Sequence, residues 1–300
     1  MTRPERVIVA AVQAAPVFLD RDATAAKACE LIAEAGAQGA RLIVFPEAFI
    51  PTYPDWVWRA PPWSDGGALF GRLLDNAVVV PSATTEALGR AASEAGAYVA
   101  IGINERDAGG STLYNTLLFL GADGGVLGKH RKLMPTGGER LVWGMGDGST
   151  LRVYDTPFGR MGGLICWENY MPLARAALYA SGIDLNLAPT WDNSDVWVPT
   201  LRHIAKEGRT FFVGVAPLLR GSDVPDDVPG RRELYGGEED WMSRGFSTIV
   251  GPDGDVLAGP LAEREGILVA EVDVARARAA RQQFDPAGHY ARPDVFTLEV

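Results

Sequence analysis

MGGLICWENYMPLARAALYASGIDLNLA, residues 161–188, decides the architecture. Met161–Cys166 is an apolar run too short for a helix and reads as a strand. A Trp-Glu-Asn-Tyr-Met-Pro turn leads from Cys166 into a helical pattern from about Pro172 to Ser181, and Asp184–Ala188 reads as the next strand. Strand, helix and strand in succession argue for the α/β class.

The same alternation extends outward in both directions. Val7–Gln13 and Arg41–Pro46 read as strands, with a helix over Asp22–Gly39 between them, Asp22 as its N-cap and Gly36 or Gly39 near its end. Ser82 caps a helix through about Gly96, and Tyr98–Ile103 is a strand. Leu113–Leu120 and Val126–Lys132 flank the turn Ala122–Gly125 as a hairpin. A helix at Val196–Arg209, a strand at Phe211–Ala216, a second hairpin at Phe246–Val250 and Val256–Leu257, a strand at Ile267–Val272 and a short helix to about Gln283 complete the pattern. Hairpins within a strand–helix alternation call for mixed sheets. GADGGVLG (121–128) resembles GPDGDVLA (251–258), but Asp-Gly turns before Val-Leu are common, so the likeness reads as shared turn chemistry. No Pro/Gly/Ser linker divides the chain. Residues 1–300 therefore read as a single domain, with a mobile polar loop at Gly221–Asp240 and a short tail from about residue 285.

Of the 300 residues, 47% are apolar and 22% charged, enough to build a core without disulfide or metal staples. The formal net charge of −10 opposes binding to nucleic acid or an anionic membrane. Two cysteines, Cys29 and Cys166, are too few for a disulfide framework, and the histidines at 130, 203 and 289 lie too far apart for a zinc site. Arg3 and Arg6 before the apolar run Val7–Val12 faintly imitate a signal peptide, but the run is too short and Gln13 interrupts it. No stretch reaches the length of a transmembrane helix. A cytoplasmic protein is expected.

Chemistry concentrates at strand ends. Cys166 closes an apolar strand, and the helix beyond it is expected to lower the thiol pKa through its N-terminal dipole. Cys29, mid-helix among Ala, Lys and Leu, reads as structural. A Cys–His pair is not indicated, because His130 falls inside a strand, His203 mid-helix and His289 near the C-terminus. Glu47 follows the buried run RLIVFP as either a helix cap or a functional carboxylate. Lysines in a run such as GKHRK are ordinarily solvated, but Lys132 also stands at a strand terminus. The glycines around Gly144 lack the context of a nucleotide loop, and there is no Gly-x-Ser-x-Gly elbow.

Phe45-Pro-Glu-Ala-Phe, Arg131-Lys-Leu-Met-Pro-Thr and Ile165-Cys-Trp-Glu-Asn-Tyr-Met-Pro resemble, in order and spacing, the three signature segments of the nitrilase superfamily. The Cys-Trp-Glu-Asn-Tyr-Met-Pro form resembles the true nitrilase branch rather than the amidases or carbamoylases. Further likeness runs through Tyr53-Pro, Glu139-Arg-Leu-Val-Trp, Ala188-Pro-Thr-Trp-Asp, the segment from Arg202 to Arg209 and Gly288-His-Tyr-Ala-Arg-Pro-Asp-Val-Phe.

The resemblance implies a four-layer αββα sandwich with two mixed β-sheets. It implies Cys166 as nucleophile, Glu47 as general base, Lys132 as electrostatic stabiliser and Glu139 as a second carboxylate. The Trp167 backbone N–H would be a further donor. Tyr53, Trp143, Trp167 and Trp191 would wall the pocket. The implied reaction converts a small organic nitrile to its acid and ammonia, with no metal or organic cofactor, in a homodimer or a small multiple of it. Three features depart from the family pattern. Gly137-Gly138 replaces the His common before the residue matching Glu139, Thr52 replaces a common Gly, and little tail follows Phe296. The first two reshape the pocket, and the third argues against long filaments. An amidase or carbamoylase on the same scaffold, and an inactive assembly protein, are the competing readings.

Overall fold

Strand β1 (Arg6–Gln13) shows how the layers arise. Its alternate residues face opposite ways: Ala10 and Val12 join one buried cluster, while Val7, Val9 and Ala11 join another. A strand buried on both faces belongs to a sheet covered on both sides. The computed structural model describes residues 6–61, 63–64 and 66–299; Arg3, ahead of β1, lies outside them.

In chain order, α1 (Arg21–Ala37) and β2 (Leu42–Val44) follow, then α2 (Gly66–Asp75), α3 (Ala83–Ala95), β3 (Tyr98–Arg106), β4 (Leu113–Leu120) and β5 (Val126–Arg131). The second half runs β6 (Tyr154–Thr156), β7 (Gly159–Gly163), α4 (Pro172–Ala180), β8 (Leu185–Pro189), α5 (Trp197–Gly208), β9 (Phe211–Val215), β10 (Leu218–Arg220), α6 (Arg231–Tyr235), β11 (Trp241–Val250), β12 (Val256–Ala262), β13 (Gly266–Asp273) and α7 (Val274–Ala280). One sheet is ordered β13-β1-β2-β3-β4-β5 and the other β10-β11-β9-β8-β7-β6, with β12 paired to β11.

Three layers of apolar packing join these elements. Ile32 of α1 and Leu88 of α3 pack on the outer face of the first sheet with Ile43 and Ile101. Val9, Val44 and Phe119 meet Leu185, Leu187 and Val213 between the two sheets. On the far side, Leu201 and Ile204 of α5 cover Ala188 and Phe212, and Leu178 of α4 packs with Leu164 and Ile183. The result is the αββα sandwich.

The two hairpins are more than shared turn chemistry, which corrects the sequence reading. Each sheet holds an antiparallel edge pair (β13·β1, β6·β7), then three parallel strands (β1-β2-β3, β7-β8-β9), then an antiparallel hairpin (β4–β5, β11–β12). The turns match bond for bond: Gly121 N–H donates to Gly125 O at 2.8 Å, and Gly251 N–H to Asp255 O at 2.8 Å. In each turn a left-handed glycine lies against a helix, Gly124 on Gly89 of α3 and Gly254 on Arg202 of α5. A Cβ would come within 2.7 Å of Gly89 O in the first case and 2.9 Å of Arg202 O in the second.

Other expectations shift. Asp20, not Asp22, caps α1, accepting from Ala23 N–H at 2.9 Å. The strand before Cys166 ends at Gly163, because the chain turns where Glu168 takes the Ile165 N–H. Gly221–Asp240 is not a free loop: it contains α6, and Val224, Val228, Leu234 and Tyr235 are buried with Phe18 and Trp56. Those apolar residues are few among charged ones, which masks them in composition. Among the described residues, no helix is long and apolar enough to cross a membrane.

Candidate active site

The site is built from three loops that leave strand ends. Beyond β2, Glu47 sits in a bend whose next residue, Ala48, has φ 48°. Gly102 on the neighbouring β3 is needed there, since a Cβ would lie 2.2 Å from Pro46 O and 2.4 Å from Ala48 N. Beyond β5, Lys132 is held by its N–H to Asn115 O at 2.8 Å. Beyond β7, Cys166 opens a 3₁₀ turn over Cys166–Tyr170 with φ 54°. That left-handed geometry costs a non-glycine residue about 1–3 kcal/mol and is a mark of functional positions. Asn169 holds it by donating to Leu164 O and Cys166 O, both at 2.9 Å.

Lys132, Glu47 and Glu139 converge. The Lys132 ammonium donates to Glu47 Oε1 at 2.9 Å and to Glu139 Oε2 and Oε1 at 2.8 and 3.1 Å. All three are buried. Each carboxylate has further donors. Asn115 Nδ2 and Trp191 N–H serve Glu47 at 2.7 and 2.6 Å, while Tyr53 OH and Thr136 N–H serve Glu139 at 2.7 and 2.6 Å. Thr190 Oγ1 donates to Cys166 Sγ at 3.0 Å.

The charges set the protonation states. Burial and the nearby Glu47 carboxylate push the Cys166 thiol far up, against the pull of Lys132. This reverses the expected lowering. Cys166 opens a short 3₁₀ turn in which its own side chain is buried, and α4 starts only at Pro172. Burial also raises Glu47; Lys132 pulls it back down and Glu139 lifts it again. Burial opposes the charge on Lys132, but the Glu47 and Glu139 carboxylates outweigh it and keep the ammonium. The resting site therefore holds a thiol near a carboxylate whose affinity for protons is itself increased.

A cavity of about 540 Å³ opens onto Cys166 and Glu139, lined also by Tyr53, Trp58, Gly137, Trp167 and Trp191, with Asp192, Asn193 and Ser194 at one side. Glu47 and Lys132 stand behind this surface. Tyr53 stacks on Trp191 with centroids 4.3 Å apart. Trp167 is half exposed and donates from Nε1 to Asp192 Oδ2 at 2.8 Å. Trp143 is not among the lining residues. It packs edge-on to Tyr53, and its Nε1 is drawn inward to Asn104 Oδ1 at 2.9 Å. Trp58, absent from the sequence expectations, supplies a wall instead, with Nε1 on Tyr53 OH at 3.0 Å. It packs against Gly137 and Gly138: a Cβ at Gly137 would come within 3.0 Å of its ring, and one at Gly138 within 2.7 Å of Val57 O. Gly137 thus makes room for the indole and Gly138 for the backbone that carries it.

Sequence reasoning also passed over Asn115, Thr190, Glu168 and His130. Asn115 is a polar residue in the otherwise apolar strand LYNTLLFL, and Glu168 stands three positions after Ile165 with capping-box spacing, signals that could have marked both. Among the described residues, no cluster of three or more His, Cys, Asp or Glu is arranged to hold a metal ion.

Two facing mixed sheets, with a cysteine, a lysine and two carboxylates gathered at their strand ends, define a class. The chain belongs to the carbon–nitrogen hydrolase family, whose model matches residues 8–282. An aliphatic nitrilase of Sinorhizobium fredii (strain HH103) is 49% identical over 298 residues, 97% of this chain and 94% of that protein. A bifunctional nitrilase/nitrile hydratase of Nicotiana tabacum is 44% identical over 298 residues, 96% of this chain and 84% of its own length. The crystal structure of a Saccharomyces cerevisiae member of branch 10 of the nitrilase superfamily shares the fold, with a TM-score of 0.77 at 22% identity over 97% of this chain and 99% of that one.

Proposed function

We propose that this chain is a nitrilase hydrolysing an organic nitrile to a carboxylic acid and ammonia, with residues 1–300 acting as one hydrolase domain and a short tail from about residue 285. Full-length relatives named nitrilases support the reaction. The carrying observation is the buried Lys132 ammonium between Glu47 and Glu139, at 2.9 and 2.8 Å, next to a buried cysteine.

Cys166 Sγ attacks the nitrile carbon as its proton passes to Glu47. The base is raised by burial, so its proton affinity is closer to that of a thiol than an ordinary carboxylate's would be. Delivery of that proton to nitrogen gives the neutral thioimidate. Water adds to the carbon, ammonia leaves, and a thioester on Cys166 remains. A second water releases the acid and restores the thiol. Lys132, fixed as a cation, stabilises the negative charge that develops on nitrogen and later on oxygen. Glu139 holds the ammonium, and the Trp167 N–H is a further donor. Tyr53, Trp58, Trp167 and Trp191 contact the organic group, with Trp143 supporting Tyr53 from behind.

A cytoplasmic homodimer, or a small multiple of it, is the working form. Two unpaired cysteines fit a reducing compartment. Tyr170, Met171, Leu173 and Val196, near the N-terminal ends of α4 and α5, leave apolar surface exposed, of the kind that self-association covers. The test supplies a panel of nitriles and their matching amides and measures ammonia. Release from nitriles supports the reading, and activity confined to amides or carbamoyl compounds overturns it.

A further inference from the structure

We propose that Glu168, paired with His130, is a positioning residue that sets Cys166 and Lys132 against each other by clamping the backbone beside each. One carboxylate oxygen accepts from Leu133 N–H at 2.7 Å, directly after Lys132. The other accepts from Ile165 N–H at 2.6 Å, directly before Cys166. Those two backbone segments leave β5 and β7, which belong to different sheets. Facing sheets are about 10 Å apart, and a side chain that hydrogen-bonds to main chain leaving both of them is a direct link between them. Glu168 is that link.

Capping the 3₁₀ turn accounts for the oxygen on Ile165 alone. The second oxygen and the histidine behind it need another reason. His130 Nε2 lies 3.1 Å from both Glu168 oxygens, and the two side chains are 2% and 0% exposed. On the other side of the ring, Nδ1 lies 3.3 Å from Thr150 Oγ1, a hydroxyl that also accepts from Arg131 N–H at 3.2 Å. Nε2 thus faces a carboxylate and Nδ1 a hydroxyl, an arrangement in which an imidazolium can donate from both nitrogens. Burial opposes that charge, but Glu168 outweighs it and holds the imidazole above its ordinary value. A buried carboxylate with two backbone donors and a cationic partner is compensated in place, and moving it would leave several groups unpaired. The clamp is therefore stiff.

The test uses the intact protein. Turnover of a nitrile rests on the nitrilase reading, so alkylation of Cys166 by iodoacetamide, which needs no substrate, is measured beside it. Glu168→Gln keeps the shape but offers an NH₂ to one of the two N–H groups. It should fold, lower kcat by about 10²-fold through misplacement, leave KM within about threefold, and slow alkylation. His130→Gln keeps a donor near the Nε2 position and should retain more activity than His130→Leu, which has none. Glu168→Gln/His130→Leu should be no worse than Glu168→Gln alone, because the pair acts as a unit. A folded Glu168→Gln protein with wild-type kcat and alkylation rate, or losses that add in the double variant, would overturn the clamp. Should Glu168→Gln fail to fold, equal losses in the two His130 variants would overturn it. A wild-type protein inert to every nitrile would refute the nitrilase reading and leave the alkylation comparison to decide the clamp.

Discussion

Replacing Lys132 by Met keeps most of the stem and removes the ammonium that two buried carboxylates share at 2.9 and 2.8 Å. Stability should fall, since deleting one partner of a buried ion pair costs about 3–5 kcal/mol. For a chain of this size that corresponds to a melting temperature lower by on the order of 5–15 °C. Turnover should fall by about 10²–10³, as when a donor to a developing anion is lost. Glu47 should also rise further without the cation that now pulls it down, leaving less base at neutral pH. A second substitution separates the two effects. In Lys132→Met/Glu139→Gln one orphaned charge is gone, while the introduced amide can still meet Tyr53 and Thr136. Part of the lost stability should return and none of the activity. Urea unfolding and ammonia release measure the two quantities. A Lys132→Met protein that melts within about 2 °C of wild type, or a double variant less stable than the single, would refute this electrostatic reasoning.

Glu47→Gln cannot take the thiol proton, so iodoacetamide should alkylate Cys166 far more slowly at neutral pH; an unchanged rate would move the base to Glu139. Because burial raises Glu47, the acid limb of kcat/KM should lie above the ordinary carboxylate value of about 4.3, and a limb at or below it would contradict the raised base. His130 is raised in the folded protein, so its pairing stabilises fully below about pH 6.5 and is lost as pH climbs through the folded value. The unfolding free energy of wild type minus that of His130→Gln should accordingly be flat below that point and decline above it; a difference that grows with pH would contradict the pair. Glu139 and Asp192 line the cavity without an unpaired cation among the described lining residues, so neutral nitriles should be hydrolysed faster than carboxylate-bearing analogues of the same length, and equal rates would contradict that charge pattern.

Glu47, Lys132 and Cys166 were legible because each is a reactive residue at the end of an apolar strand, where a side chain must leave the sheet edge. Runs such as LIVF (42–45) marked strands buried on both faces, whereas the αββα layering was implied by the family resemblance. What escaped detection depends on partners far apart in sequence. Glu168 meets Leu133 thirty-five residues away, and Asn115 meets Glu47 across sixty-eight. No local pattern reports such contacts. The direction of the thiol shift escaped for the same reason: the dipole of a following helix is a local inference, whereas burial beside Glu47 emerges only when three loops close together. Over Gly221–Asp240 a few buried apolar residues among charged ones carry the packing, and composition averages them away.

The most direct measurement is intact-mass and peptide analysis of the protein quenched during turnover of a nitrile. An acyl or imidoyl group should appear on the peptide containing Cys166, and Cys166→Ala should carry none and release no ammonia while melting like wild type. Ammonia released from a nitrile by Cys166→Ala, or an adduct confined to Cys29, would contradict nucleophilic catalysis at Cys166.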